Sequence, residues 1–290
     1  MINVLVVGAS GLLGTALSAK LKDCKFSVTR LARGTPADIT VDASSRELLF
    51  QALDGRTFDA VINLVALTSV ETCEDRPDLA HRFNVLPAEH IASWIRIHSP
   101  DSHLIQLSTD HVYDGSGPHD EVHTTVVNSY AQTKYASELA AMMVPSTILR
   151  TNFVGRSASS RRESLTDWLY DSLNRKEHIQ VLDDVLFSPL AISTICSVLV
   201  EVIKKRPVGV FNLGSKNGMS KADFDFEFAS LLGLPTKFMT RIDSTSAKFL
   251  RARRPFDMRM DSTKIEKELS IELPTLREEI RKVAKEYEAR

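Results

Sequence analysis

Residues 2–21 read INVLVVGASGLLGTALSAKL: an apolar run, a turn with Gly8, Gly11 and Gly14 spaced three apart, then a segment with helical spacing. A short continuous apolar run is the signature of a strand buried on both faces. Glycines between such a strand and a helix let the backbone approach a pyrophosphate, and the unbonded amides and dipole of the helix start attract its charge. The context at the start of an alternating chain favours a dinucleotide site over a plain turn. The GxxGxxG spacing is one residue longer than the common GxGxxG fingerprint.

Outward from this stretch the pattern repeats. FSVTRLA (26–32), DAVINLV (59–65), HLIQLS (103–108) and STILRT (146–151) read as further buried strands. Between them lie helical segments, one of which, 77–97, contains Pro87 and is expected to kink or divide there. Strands joined by helical crossovers imply a parallel sheet with helices on both faces. The fold class is therefore α/β, a doubly wound (Rossmann) sheet. The expected boundaries are a dinucleotide-binding domain over 1–151, with a return at about 188–214, and a smaller, discontinuous substrate-binding domain over 152–187 and 215–290. The last 75 residues are expected to be mostly helical, with Ser220 as an N-cap.

An enzyme that selects NAD places an acid about 20 residues beyond the glycines, at the end of the second strand. Here that region is TRLARG, with Arg30 and Arg33 and no acid before Asp38. Guanidinium groups suit a 2′-phosphate, which favours NADP (as NADPH) over NAD. Asp42 is a candidate acceptor for the adenine amino group, beside the alternative of a solvated loop aspartate.

Composition narrows the partners. The 290 residues are 43% hydrophobic and 25% charged with a net charge of −1, a balance that offers no basic surplus for nucleic acid. No apolar run approaches the roughly 20 residues that span a bilayer. Three scattered cysteines fit a reducing compartment, and the cytoplasm is the expected location. The pair His119 and His123 in HDEVH follows Gly115, Gly117 and Pro118, which favours a loop over a zinc helix, and no metal site is expected.

The helix NSYAQTKYASELA (128–140) carries Tyr130 and Lys134 one turn apart on one face. A phenol ordinarily ionises near pH 10, and a neighbouring cation lowers that value. Tyr130 can then donate a proton to an alkoxide formed by hydride addition, with Lys134 tuning it and binding the nicotinamide ribose. The strand HLIQLS ends in Ser108 and Thr109, at the sheet edge where the glycine loop lies. Thr109 is assigned the hydrogen bond to the substrate carbonyl, with Ser108 as the alternative or a second polar neighbour.

The glycine loop, the strand-end hydroxyl and the YxxxK helix together resemble the extended short-chain dehydrogenase/reductase family. More narrowly, VVGASGLLGTAL, DAVINLVALTSVETCED, LIQLSTDHVYDG, NSYAQTKYASE, ILRTNFVG and RRPFDMRMD resemble the dTDP-4-dehydrorhamnose reductase group. The resemblance implies Thr109, Tyr130 and Lys134 as catalytic residues. It implies Gly8, Ser10, Gly11, Leu12 and Gly14 along the pyrophosphate, and Asn63, Ala66 and Thr68 along the cofactor cleft. It also implies Asn152, Phe153 and Arg254 on the substrate side, Phe153 replacing a common tryptophan. Arg254 lies in RARRP, read equally as a diphosphate grip or a solvated surface. The implied activity is NADPH-dependent reduction of a 4-keto nucleotide sugar for cell-surface polysaccharide precursors, in a protein for which a homodimer is admissible.

The departures fall on the substrate side. Where the group has Asp-Gln-x-Gly-x-Pro-Thr this chain has DVLFSPL, with Val185, Phe187 and Leu190 replacing Gln, Gly and Thr. Two rival readings remain: a nucleotide-sugar epimerase or dehydratase, and an NADP-binding protein similar to the methionine adenosyltransferase regulatory subunit. Dehydratases usually carry an acidic pair after the threonine. Here Asp110 is followed by His111.

Overall fold

The computed structural model describes residues 1–158 and 163–288. Strand β1 (Asn3–Val7) feeds helix α1 (Leu12–Asp23), followed by β2 (Ser27–Ala32), β3 (Ile39–Thr40) and α2 (Arg46–Ala52). Then come β4 (Ala60–Asn63), α3 (Val70–Asp75), α4 (Pro77–Asn84), α5 (Leu86–His98), β5 (His103–Leu107), α6 (Ser129–Ala141) and β6 (Ser146–Thr151). The segment with Pro87 divides rather than kinks: Val85 separates α4 from α5, and Pro87 sits in the first turn of α5, where its missing amide costs nothing. Helix α3 has no counterpart in the sequence expectation; Ser69 caps it by accepting from the Thr72 amide.

Seven strands form the central sheet in the order Gly209–Leu213, β6, β5, β4, β1, β2, β3. The pairs from β3 through β6 are parallel, with Val4 beside Val28 on one side and Ala60 on the other. Val4 to Val7 are all 0% exposed, so both faces of β1 are covered, as the unbroken apolar run requires. One face packs Leu5, Val7, Val61 and Leu104 against Leu49 and Leu53 of α2 and Ile91, Trp94 and Ile95 of α5.

The chain forms two compact units: residues 1–109, 128–150 and 196–211 in the first, and 110–127, 151–195 and 212–290 in the second. The loop 110–127, read from sequence as part of the dinucleotide domain, thus belongs to the second unit. Its core packs Leu169, Leu173, Val181, Phe224, Phe228, Ile280 and Tyr287. The expectation of a mostly helical tail is corrected. Helices cover Lys221–Leu231, Thr263–Leu269 and Leu276–Glu288, while Met239–Ile242 forms a parallel strand beside Ile179–Leu182 and much of 243–262 is irregular. The strand pairing supplies backbone partners that the four-residue run MTRI did not signal.

Val185, Phe187 and Leu190 are 0%, 1% and 0% exposed. The stretch that departs from the family pattern has therefore turned these side chains into the interior.

Candidate active site

The glycine loop is built for close approach. Gly8 has φ +87°, a conformation that side chains disfavour, and a Cβ there would stand 3.1 Å from the backbone of Leu64 and Val65. Its amide and that of Ala9 both donate to the Leu31 carbonyl, and the Gly11 amide returns to the Gly8 carbonyl. A Cβ on Gly14 would lie 2.4 Å from the Gly8 oxygen, so α1 rests directly on the turn. Helix α1 starts after Gly11 with no side-chain cap. Its first amides, from Leu12 onward, have no carbonyl one turn back within the helix and present the partial positive charge that a phosphate needs. Ser10 is exposed at the rim.

The ribose end separates the two arginines. Arg30 is closed on Asp38: Nη2 donates to Oδ1 at 2.8 Å and Nε to Oδ2 at 3.1 Å. This hydrogen bonding holds the Asp38 carboxyl down to about 2. Arg33, just beyond β2, stacks its guanidinium 4.6 Å from the Phe83 ring centre, a placement that leaves its hydrogen-bond donors at the edge. Arg30 is thus paired within the chain, while Arg33 is exposed. Asp42 accepts from the Ser44 amide at 3.0 Å and from Arg82 Nη2 at 3.2 Å. Burial raises its pKa, but these bonds and the charges of Arg82 and Arg33 outweigh burial and the net shift is downward. Asp42 organises the loop before α2 rather than standing as a solvated carboxylate.

Asn63 is corrected from a cleft residue to a buried brace. It is 0% exposed, donates from Nδ2 to Gln106 Oε1 at 2.8 Å, and accepts from the Val65 amide at 3.1 Å. Both polar ends of the side chain are thus occupied within the unit. It shapes the loop that carries Ala66, which is partly exposed, and Thr68, which is exposed.

Helix α6 is positioned through its N-terminal turns. Asn128 caps it by accepting from the Ala131 amide at 2.8 Å, and the Ser129 amide donates to Glu74 at 3.0 Å. Asn84 accepts from the Leu67 amide at 2.6 Å and donates to Thr133 Oγ1 at 2.9 Å, tying the β4 loop to α6. Tyr130 is 9% exposed and packs with Cys73 and Ala80. Lys134 is 3% exposed, and its ammonium donates to the Leu107 carbonyl at 2.6 Å, at the end of β5. Burial pulls its pKa down to about 8, with Glu138 acting in the opposite direction. Two further ammonium donors remain for a ribose.

Beneath Lys134 lies a network that the sequence reading missed. Glu138 and Arg150 are 0% and 3% exposed and form a forked ion pair, with Nη2 to Oε2 at 2.8 Å and Nε to Oε1 at 3.0 Å. The Ser108 hydroxyl donates to Glu138, and its amide donates to the Leu149 carbonyl at 2.7 Å. Ser108 is thereby committed to the network, and Thr109, the next residue, is 3% exposed. The available signal was the i, i+4 spacing of Glu138 from Lys134, which puts both on one face.

In the second unit, Asn152 Nδ2 donates to Asp110 Oδ2 at 2.8 Å. Phe153 lies in a short strand paired with Leu190–Ala191. Arg254 Nη1 donates to the Ala252 carbonyl at 2.9 Å, and Arg253 pairs with Asp114 at 2.6 Å. His119 is in a loop, bonded through Nε2 to the Asp257 carbonyl at 2.9 Å, and His123 is exposed. Among the described residues no group of His, Cys, Asp or Glu is arranged to hold a metal, and no helix is long and apolar enough to cross a membrane.

With this geometry in view, a family model decides the relationship: the RmlD substrate binding domain family matches residues 2–289. The chain belongs to this family. It is 25% identical over 287 residues to a dTDP-4-dehydrorhamnose reductase of Escherichia coli K12, covering 94% of this chain and 93% of that protein. It is likewise 25% identical over 293 residues to a probable low-salt glycan biosynthesis reductase, Agl14, of Haloferax volcanii, covering 95% of each. The fold matches that of a dTDP-4-dehydrorhamnose reductase from Bacillus anthracis solved in complex with NADP, with a TM-score of 0.88 at 20% identity over 97% of this chain and 98% of that one.

Proposed function

We propose that this RmlD-family protein is an NADPH-dependent reductase of a 4-keto nucleotide sugar, most like dTDP-4-dehydrorhamnose reductase, serving polysaccharide precursor synthesis. The observation that carries the reading is buried Lys134, bonded to the Leu107 carbonyl two residues before Thr109 and one helical turn from Tyr130, in a unit that also holds the uncapped, glycine-lined start of α1. The residues fit the cofactor: a helix N-terminus open to the pyrophosphate, Arg33 available for the 2′-phosphate, and Lys134 donors for the ribose. Bound NADPH supplies the hydride. Thr109 donates to the substrate carbonyl and so stabilises charge as it develops on that oxygen. Tyr130 delivers the proton that turns the resulting alkoxide into the alcohol, and the Lys134 charge favours the phenolate left behind. Asn152, Phe153 and Arg254 hold the sugar nucleotide.

A dehydratase must also remove a proton from carbon and expel a hydroxyl as water, and the second acid of the pair suited to that is replaced here by His111. Burial and the charges of Lys221 and Arg254 pull His111 down to about 3, so it is neutral and does not replace an acid.

The test is Tyr130→Phe. NADPH binding stays within about twofold, while oxidation of NADPH with dTDP-4-dehydrorhamnose falls by roughly 10²–10⁴. Undiminished turnover would remove Tyr130 as the proton donor, and wild-type protein that binds NADPH but reduces none of a set of 4-keto nucleotide sugars would refute the reductase assignment in favour of a binding role.

A further inference from the structure

The helix Lys221–Leu231 of the second unit opens with Ser220 accepting from the Asp223 amide at 3.0 Å. Lys221 and Asp225 are one turn apart on one face. Asp223, between them in sequence, points elsewhere and pairs with Arg241 at 2.7 Å. Asp225 has no such partner. It is 3% exposed, and its buried Oδ1 receives no hydrogen bond. An unpaired buried carboxylate is costly, and folded proteins keep few such groups. Lys221 is the complementary case. The residue keeps part of its surface in solvent, and its ammonium stands 5.7 Å from the Phe187 ring centre. It feels the carboxylates of Asp110 and Asp225 and the guanidinium of Arg254, yet among the described residues it donates to no acceptor. A donor without an acceptor and an acceptor without a donor thus lie one helical turn apart without closing on each other.

The position of this pair is informative. The Lys221 amide donates to the Val185 carbonyl at 2.9 Å, and Met219–Ser220 pairs antiparallel with Leu186–Phe187. The pair therefore adjoins DVLFSPL, the stretch whose Val185, Phe187 and Leu190 side chains have turned inward. Asp110, whose charge Lys221 feels, is bonded to Asn152. Polar groups absent from the strand Leu186–Phe187 are offered by the helix that follows its partner strand.

We propose that Lys221 and Asp225 form a binding pair for a hydroxyl group of the sugar substrate, Lys221 donating to its oxygen and Asp225 accepting its hydrogen. A hydroxyl of a ligand satisfies both at once. The proposal deepens the nucleotide-sugar reading and rests on it. Burial lowers the Lys221 pKa and lifts that of Asp225 to about 7, as expected of polar groups awaiting a partner.

Calorimetric titration of the NADP-loaded protein with dTDP and with dTDP-rhamnose tests the pair. Wild-type protein binds dTDP-rhamnose about tenfold tighter than dTDP, the value of one or two charge-assisted bonds. Lys221→Met and Asp225→Asn each erase most of that advantage while leaving the affinities for dTDP and NADP and the melting temperature nearly unchanged. A sugar advantage that survives in both variants, or that wild-type protein lacks, overturns the pair. Wild-type protein that binds neither compound refutes the nucleotide-sugar reading instead. The pair is then judged on a crystal soaked in glycerol, a polyol without nucleotide. A glycerol oxygen bonded to both Lys221 Nζ and the Asp225 carboxylate supports it. Direct contact between the two side chains, or a water molecule alone, overturns it.

Discussion

Glu138→Gln isolates what the buried network beneath Lys134 does. The substitution keeps the shape and removes the charge. Arg150, 3% exposed, is then left with its guanidinium in the interior, facing an amide that is one charge short and that turns one donor toward it. Breaking a buried ion pair from one side costs about 3–5 kcal/mol, because the remaining charge is uncompensated. At about 2–4 °C per kcal/mol, that lowers the melting temperature by roughly 6–20 °C. The loss appears in urea unfolding as a lower midpoint with an unchanged slope. Glu138→Gln/Arg150→Met removes both charges and so recovers much of the deficit, since replacing a whole buried pair is far cheaper than breaking it. A second readout concerns Lys134, whose ionisation Glu138 favours. The variant loses activity at lower pH than the wild type on the alkaline side. A single-variant loss below about 1 kcal/mol, or a double variant as unstable as the sum of the singles, would show that the forked pair is not the buried, mutually compensating unit described here.

Three further outcomes follow from the same geometry. Arg33→Ala weakens NADPH by roughly tenfold with little effect on NADH, while Arg30→Ala, which frees Asp38, costs far less selectivity; fluorescence titration with both cofactors reads the difference. Gly14→Ala forces a methyl group to 2.4 Å from the Gly8 carbonyl and abolishes cofactor protection against thermal unfolding, whereas Gly34→Ala, with nothing within 4 Å, leaves it intact. Because the folded Lys134 has its pKa near 8, below the unfolded value near 10.4, the unfolded chain binds more protons between these pH values. The Lys134 contribution to stability therefore rises with pH across that window, while turnover falls as the ammonium deprotonates; a Lys134→Met variant loses both trends, measured by urea unfolding and initial rates from pH 7 to 10.

How much of this was legible in the sequence depended on how local the signal was. The strand, glycine turn and helix of residues 2–21 are consecutive, and periodicity with steric freedom located them. Tyr130 and Lys134 share one helix, so their spacing alone put them on one face. Long-range partners left no such mark. Nothing near Asn63 in sequence announces Gln106, 43 residues away, whose amide bond withdraws it from the cleft. Arg30 looked available because Asp38 lies beyond the strand, and only the bend into β3 brings the carboxylate back. The tail misled for the same reason: the strand Met239–Ile242 exists through pairing with a segment 60 residues earlier.

The two units are threaded through each other by the chain, which passes between them at 109/110, 127/128, 150/151, 195/196 and 211/212. Neither corresponds to a contiguous stretch of gene. Recombination that exchanges either unit whole therefore needs crossovers at several points of the gene. A single codon change at a position such as 221 or 225, by contrast, alters one unit inside an intact frame.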